Sequence, residues 1–500
     1  MYRKVKLISK KKNLEVKVET GTVLIDIIRD QGFSIYSPCG GKGICGKCLV
    51  TIRGRGTVTA CNYKVEADID VSVPDEKEMN ILSLQYKHII NLDSIEKQDQ
   101  DSVRKGYGIA ADIGTTTIVL YFVDMATGSL LGTSAARNPQ SSYGADVLSR
   151  INYCVENNEG TANMQRLLVN VMNESIERFT GDLSVSSDSI MRMIVTGNTT
   201  MLHLIAGINP ATIGVSPFSP VFTEIKILSA YELNLKINTQ AEIILLLSVS
   251  AYVGADILSG LASIDDRKFD SYLYIDIGTN GEIALVTKDT VWACATAAGP
   301  AFEGAGINCG MSAVEGAIES FSEEGFKTIG DVRPRGICGS GLIDIVAFML
   351  DTGKISSDGL LKEPYVICKD EYDSEIKIIQ SDIREVQLAK AAIAAGMDIL
   401  IKRADLSVNN LDGIFLAGGF GNYINISNAV RIGLLPAHLH KKYIQIGNAA
   451  GTGAILALKS GNFINRMIDI KSRIRLVELS SDEEFMAEFV ANMDFKLYQP

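Results

Sequence analysis

Gly108-Ile-Ala-Ala-Asp112-Ile-Gly114-Thr115-Thr116-Thr117-Ile-Val-Leu120 returns later in the chain as Tyr274-Ile-Asp276-Ile-Gly278-Thr279-Asn280-Gly281-Glu-Ile-Ala-Leu285. Each copy reads as a buried strand, a tight Asp-Ile-Gly-Thr turn and a second strand. Two more pairs follow in the same order. Ile194-Val-Thr-Gly197-Asn198-Thr199-Thr200 matches Ile414-Phe-Leu-Ala-Gly418-Gly419-Phe-Gly421-Asn422, and the run Val249 to Leu258, with Gly254 and Asp256, matches Ile446 to Leu456, with Gly451 and Gly453. Three matched elements in matched order predict two copies of one α/β unit.

The residue types in these turns suit a nucleotide with its metal. Gly114 and Gly278 let backbone N–H groups close on phosphate oxygens, and Thr115, Thr116, Thr117 and Thr279 add hydroxyls, with Asn280 and Gly281 completing the second turn. Asp112 and Asp276, at strand ends, are placed to hold hydrated Mg²⁺, a hard cation that keeps its waters. Gly418-Gly419 follows the apolar strand from Gly413 to Leu416, where adenine and ribose could approach bare backbone. Asp256, at a helix start, is a candidate for orienting attacking water, against the plainer reading of a structural carboxylate there. Asp146 carries the same pair of readings.

Residues 3 to 74 alternate in short runs. Lys4 to Ser9 and Leu14 to Val18 predict a hairpin, and Thr22 can cap a short helix that carries Val23, Leu24, Ile27 and Ile28 and stops at Gly32. Then comes Pro38-Cys39-Gly-Gly-Lys-Gly-Ile-Cys45-Gly-Lys-Cys48, with twelve residues between Cys48 and Cys61. Five residues separate the first two cysteines and two separate the next pair, and the glycines let backbone N–H groups approach cluster sulfur. Leu49 to Arg53 and Thr57 to Ala60 can form a hairpin turning at Gly54-Arg55, in a register that sets Cys48 directly opposite Cys61. Cys39, Cys45, Cys48 and Cys61 therefore read as ligands of one 2Fe–2S cluster, and the first spacing resembles adrenodoxin-like ferredoxins. A zinc knuckle or a cluster-free relic of the same β-grasp fold is the alternative. Zinc favours two paired knuckles and only one Cys-x2-Cys is present.

A chain of 500 residues suggests two to four domains. The net charge of −11 leaves no basic footprint for nucleic acid. The start, Tyr2 to Lys12, is basic but no apolar run follows it, so no secretory signal is read. Ile243 to Ala262 is apolar but contains Asp256, and reads as a buried strand and helix, not a membrane span. Five cysteines scattered after residue 61 read as reduced thiols, and the expected compartment is the cytoplasm. The boundaries read from these features are 1–74 for the cluster module, 75–105 for a polar linker with one short helix, 106–265 for lobe I and 266–500 for lobe II.

The duplicated core resembles the actin, Hsp70 and sugar-kinase superfamily, whose two lobes clamp ATP. The resemblance implies an α/β protein, a β-grasp ferredoxin domain followed by a ribonuclease-H-like ATPase fold. The whole chain is similar to the reductive activators of corrinoid-dependent enzymes, through the cysteine motif, Asn138-Pro-Gln-Ser-Ser-Tyr-Gly-Ala-Asp146-Val-Leu-Ser-Arg150, Gly299-Pro-Ala-Phe-Glu303-Gly-Ala, Gly336-Ile-Cys-Gly-Ser-Gly341, Gln387-Leu-Ala-Lys390 and a final helix from Phe485 to Phe495. The shortened stretch between Cys48 and Cys61 and the little room before residue 106 depart from longer relatives. What the resemblance implies is one-electron reduction of Co(II) to Co(I) in a corrinoid protein of a methyltransferase system, driven by ATP hydrolysis. Its partners would be that protein and a low-potential electron donor, with no nucleic acid and no membrane; a homodimer is one possible arrangement. The rival readings are a redox-responsive module that binds ATP without turnover and an activator of another low-potential enzyme, such as a 2-hydroxyacyl-CoA dehydratase.

Overall fold

The computed structural model describes residues 1–9, 12–33, 35, 37, 40–43, 46–74, 90, 106–278, 280–437 and 442–498. Cys39, Cys45, Thr279, His438, His440 and nearly all of the linker with its expected helix lie outside the described residues.

The duplication is visible in the sheet topology. In one six-stranded sheet the strands run Lys226–Ser229, Glu242–Leu245, Ile190–Gly197, Tyr107–Ile113, Thr117–Asp124 and Leu130–Arg137. In the other they run Tyr443–Gly447, Gly413–Ala417, Tyr272–Ile277, Gly281–Val286, Val291–Thr296 and Ile474–Leu476. Tyr107–Ile113 and Tyr272–Ile277 each pair in parallel with the strand of the second repeat element, and antiparallel with the strand after the Asp-Ile-Gly turn. Their side chains are apolar on both faces because helices cover both sides, as parallel strands require.

The third repeat pair joins the halves. Helices Ala255–Ser263 and Ala449–Lys459 pack closely on each other. A Cβ on Gly453 would stand 2.2 Å from the Ser259 carbonyl oxygen, so only glycine lets the two backbones approach this far. The larger apolar core runs through this junction, taking in Tyr121, Ile194 and Leu258 from one half and Tyr274, Phe415 and Ile455 from the other. The run Ile243 to Ala262 is a buried strand and a helix, and among the described residues no helix is long and apolar enough to cross a membrane.

The N-terminal sheet orders its strands Asn13–Glu19, Tyr2–Ile8, Ile69–Ser72, Leu49–Ile52 and Gly56–Thr59, with helix Leu24–Asp30 packed on it through Leu24, Ile25, Ile27 and Ile28. The central pair is parallel and the flanking hairpins are antiparallel, which is the β-grasp arrangement.

Three local expectations are corrected. Thr22 does not cap the helix. Val23 occupies the cap position, and the Thr22 hydroxyl donates back to the Glu19 carbonyl (2.8 Å). In the hairpin Leu49 pairs with Thr59 and Ile52 with Gly56, one residue out of the expected register, because the turn takes up Arg53-Gly54-Arg55. The last helix covers only Phe485–Ala491, and Phe495 is instead a buried residue of the second core.

Candidate functional site

Asp112 and Asp276 occupy the penultimate positions of equivalent strands and face one cavity of about 390 Å³ between the two halves. This volume lies in the range of small-ligand sites. The lining also includes Gly114, Thr115, Thr116, Thr117, Asp256, Gly278, Asn280, Gly418 and Gly419, so the structure assembles most of the residues singled out from the repeats. Gly281 does not belong to this lining. A Cβ there would meet the Thr296 hydroxyl at 2.6 Å, so its bareness serves packing. Gly418 is required by the site: at φ +78° a Cβ would stand 2.3 Å from Asp276 Oδ1.

Direct contacts bridge the cleft. The Thr116 hydroxyl donates to Glu303 Oε2 at 2.7 Å, and Asn448 Nδ2 donates to Asp112 Oδ2 at 2.7 Å. Glu303, Asn448 and Glu282 line the cleft but were not assigned a role from sequence, although all three stand inside quoted or repeated motifs. A carboxylate enclosed by Gly299 and Gly304 was the available signal for Glu303.

The cleft is acidic. Burial pushes the Asp112 carboxyl up to about 6, opposed by the Asn448 hydrogen bond, and burial with Asp256, Asp112 and Glu303 nearby pushes Asp276 up to about 7. Asp256 is raised by burial and by Asp112, and Glu282 by burial and by Asp256 and Asp276. No Lys or Arg occurs among the described lining residues. A polyphosphate can enter only with cations, and oxygen donors of this kind suit a hard divalent ion.

A stability test follows. The ordinary aspartate value is 3.8, and here the folded protein holds protons up to about 6 and 7 on Asp112 and Asp276. Between those limits the native state binds more protons than the unfolded chain, so stability falls as pH rises, by roughly 1.4 kcal/mol per pH unit for each such carboxyl. Urea midpoints of nucleotide-free protein at about pH 5 and about pH 7 should show this loss. It should shrink in Asp112→Asn; an equal slope in that variant removes the cleft as its source.

The cysteine site is described in half. Cys48 is buried, Cys61 is partly exposed, and their sulfurs are 3.2 Å apart. The shifted register leaves Ala60 opposite Cys48, and the 3₁₀ turn Ala60–Asn62 swings Cys61 back onto it. Gly40, Gly41, Gly43 and Gly46 all have left-handed φ, and a Cβ on Gly43 would stand 2.6 Å from Asn62 Oδ1. Two adjacent cysteine sulfurs beside glycines with left-handed φ fit an iron–sulfur group.

Asp146, His203 and the motif residues Gln387, Lys390 and Cys338 have structural roles. Asp146 caps helix Val147–Glu156 through Ser149 N (2.8 Å) and lies outside the cleft lining, which corrects its cleft reading. His203 is held between the Thr199 carbonyl (2.7 Å) and Val221 N–H (3.0 Å). Lys390 donates to the Asp494 carbonyl, and Gln387 donates to the carbonyls of Asp358 and Met493, tying the C-terminal segment to helix Gln380–Arg403. Cys338 is buried at the start of helix Gly339–Asp351 and donates to the Ile318 carbonyl.

Residues 270–499 match the family described as the C-terminal domain of RACo, the ASKHA domain, and residues 107–266 match the RACo middle region. A solved structure of a reductive activator for a corrinoid, iron–sulfur protein superposes with a TM-score of 0.71 at 30% identity, covering 99% of this chain and 98% of that one. The chain belongs to the corrinoid reductive activator family. A curated member of the family, the corrinoid activation enzyme RamQ of Eubacterium limosum, is 29% identical over 96% of this chain and 97% of its own. The [Co(II) methylated amine-specific corrinoid protein] reductase of Methanosarcina barkeri is 26% identical over 74% of this chain and 73% of its own.

Proposed function

We propose that this protein reactivates a corrinoid protein of a methyltransferase system by reducing its cobalt from Co(II) to Co(I), one electron at a time, at the expense of ATP hydrolysis. The observation that carries the reading is a paired-thiol β-grasp module and a two-lobed acidic cleft in one chain, matched end to end by a solved reductive activator. Cys39, Cys45, Cys48 and Cys61 would hold a 2Fe–2S cluster, which when bound supplies single-electron transfer. The electron comes from a low-potential donor.

In the cleft, Asp112 and Asp276 would hold hydrated Mg²⁺, which when bound offsets phosphate charge. The turns at Gly114 to Thr117 and Gly278 to Asn280, Thr279 included, bind phosphates through backbone N–H and hydroxyl donors. Gly418-Gly419 admits adenosine. Asp256 accepts a hydrogen bond from the attacking water. The working units are a cluster module at 1–74, a linker at 75–105 and lobes at 106–265 and 266–500, in a cytoplasmic protein.

ATP matters because the transfer is uphill. Each roughly 59 mV against the electron costs tenfold in a one-electron equilibrium, and a nucleotide can help only by binding one conformation better than another. Lobe closure around nucleotide is the change available to this fold. Mixing the protein with Mg-ATP, a chemical reductant and candidate corrinoid proteins should produce the Co(I) spectrum, with ATP turnover stimulated by the Co(II) form. No Co(I) with any methyltransferase corrinoid protein, and ATP turnover indifferent to all of them, would reject the proposal.

A further inference from the structure

The segment Asn138–Arg150 has two working faces, and only one belongs to the nucleotide cleft. On that face Asn138 Nδ2 donates to the Gly114 carbonyl (2.8 Å), Asn138 N to the Thr116 carbonyl (2.8 Å) and the fully buried Arg150 to the Thr115 carbonyl (2.5 Å). Arg150 also donates to Gly144 O (3.0 Å) and Gln140 Oε1 (3.1 Å), so one guanidinium holds the phosphate turn and the middle of the segment together.

The opposite face carries the N-terminal module. Arg29, nearly buried, donates to the Ser142 carbonyl and lies over the Tyr143 ring at 4.9 Å. The Ser142 hydroxyl donates to the Ile35 carbonyl at 2.9 Å. A Cβ on Gly40 would stand 3.0 Å from the Tyr143 carbonyl oxygen. The module has a second foothold across the cleft. Lys47, one residue before Cys48, donates to the carbonyls of Ile307, Asn308 and Gly310 at 3.4, 3.4 and 3.1 Å. That loop begins a few residues after Glu303, the acceptor of the Thr116 hydroxyl.

The module thus stands with one foot on each half, and each foot rests beside a cleft wall. A packed sheet with its own core does not stretch, so it can keep both feet only at one separation of the halves. The separation it fits is the one at which Thr116 meets Glu303 and Asn448 meets Asp112. We infer that Arg29 and Lys47 are positioning residues that seat the cysteine module across both lobes of the closed cleft, so that module seating and nucleotide binding are one coupled equilibrium. The inference rests on the nucleotide-clamp reading above. Coupling of this kind is reciprocal: whatever factor nucleotide adds to seating, seating adds to nucleotide affinity.

Calorimetric titration of the full chain with Mg-ATP tests it. Wild type should bind. The double variant Arg29→Met, Lys47→Met should bind at least about fivefold more weakly, with iron content retained. Tyr143→Ala should weaken binding in the same direction, whereas Tyr143→Phe, which keeps the ring under the guanidinium, should match wild type. Independently, Mg-ATP should slow hydrogen exchange across residues 24–33 of wild type. A wild type that binds no nucleotide overturns the clamp and the coupling together. Wild-type binding with an unchanged or tighter double variant, or with exchange across 24–33 indifferent to nucleotide, overturns the coupling alone.

Discussion

Cys61→Ser is expected to abolish the visible absorption and EPR signal of the purified protein and to lower corrinoid reduction at least about 100-fold, since loss of a mere second-sphere partner already costs 10–100-fold in metal affinity or activity. The reason lies in how the fourth thiol is delivered. The Leu49–Ile52 and Gly56–Thr59 hairpin does not place Cys61 opposite Cys48; the 3₁₀ turn at Ala60–Asn62 does, bringing the sulfurs to 3.2 Å. A serine oxygen at that position is a shorter, harder donor than thiolate and suits iron–sulfur chemistry poorly. Cys309→Ser provides the control, because Cys309 stands among Asn308 and Glu375 and outside the N-terminal sheet. Its variant should keep the spectrum. Mg-ATP binding should survive in Cys61→Ser, because Arg29 and Lys47 keep their contacts with both lobes. A Cys61→Ser protein with an unaltered spectrum would remove Cys61 from the ligand set.

The second large effect is expected at Asp256. Asp256→Asn should lower ATP hydrolysis by roughly 10²- to 10⁴-fold, the usual contribution of a positioned base, while Mg-ATP affinity is kept or improved. Improvement is reasonable because the substitution removes a buried negative charge facing a polyphosphate. Asp256 sits in the first turn of helix Ala255–Ser263, lines the cleft and holds its carboxylate by its own turn through Ile257 N–H (2.9 Å). Burial and the Asp112 carboxylate raise its pKa above the ordinary aspartate range. A base works deprotonated, so wild-type hydrolysis should climb with pH across a window above the usual carboxylate range and then level. Asp256 interacts with its neighbours Asp112, Asp276 and Glu282, so the apparent midpoint belongs to that cluster. Near-normal hydrolysis in Asp256→Asn with the same pH profile would return this residue to the structural reading of a helix-start carboxylate.

The repeats made the fold legible. Matched Asp-Ile-Gly turns, matched glycine elements and matched helix starts predicted two copies of one α/β unit, and five strands of each sheet correspond in order, while Lys226–Ser229 in one and Ile474–Leu476 in the other stand without a counterpart. The cleft was legible where the turn chemistry is local: Asp112, Asp276, Gly114 and Gly418 are marked by residue type and by position at strand ends. Glu303 and Asn448 were not, because their roles arise from contacts with Thr116 and Asp112 that are 187 and 336 residues away. Asp146 misled in the opposite sense. A carboxylate in a motif does not say whether its partner is a ligand or a nearby N–H or hydroxyl, and here Ser149 satisfies it.

Periodicity and turn chemistry act over a few residues, so the order of residues alone determined the duplicated α/β core, the cysteine loop and the glycines that both sites need. Register, closure and docking depend on which distant surfaces meet. Only the tertiary structure decided that the hairpin slips by one residue, that two halves touch across an acidic cleft, and that Arg29 and Lys47 plant the cysteine module on both of them.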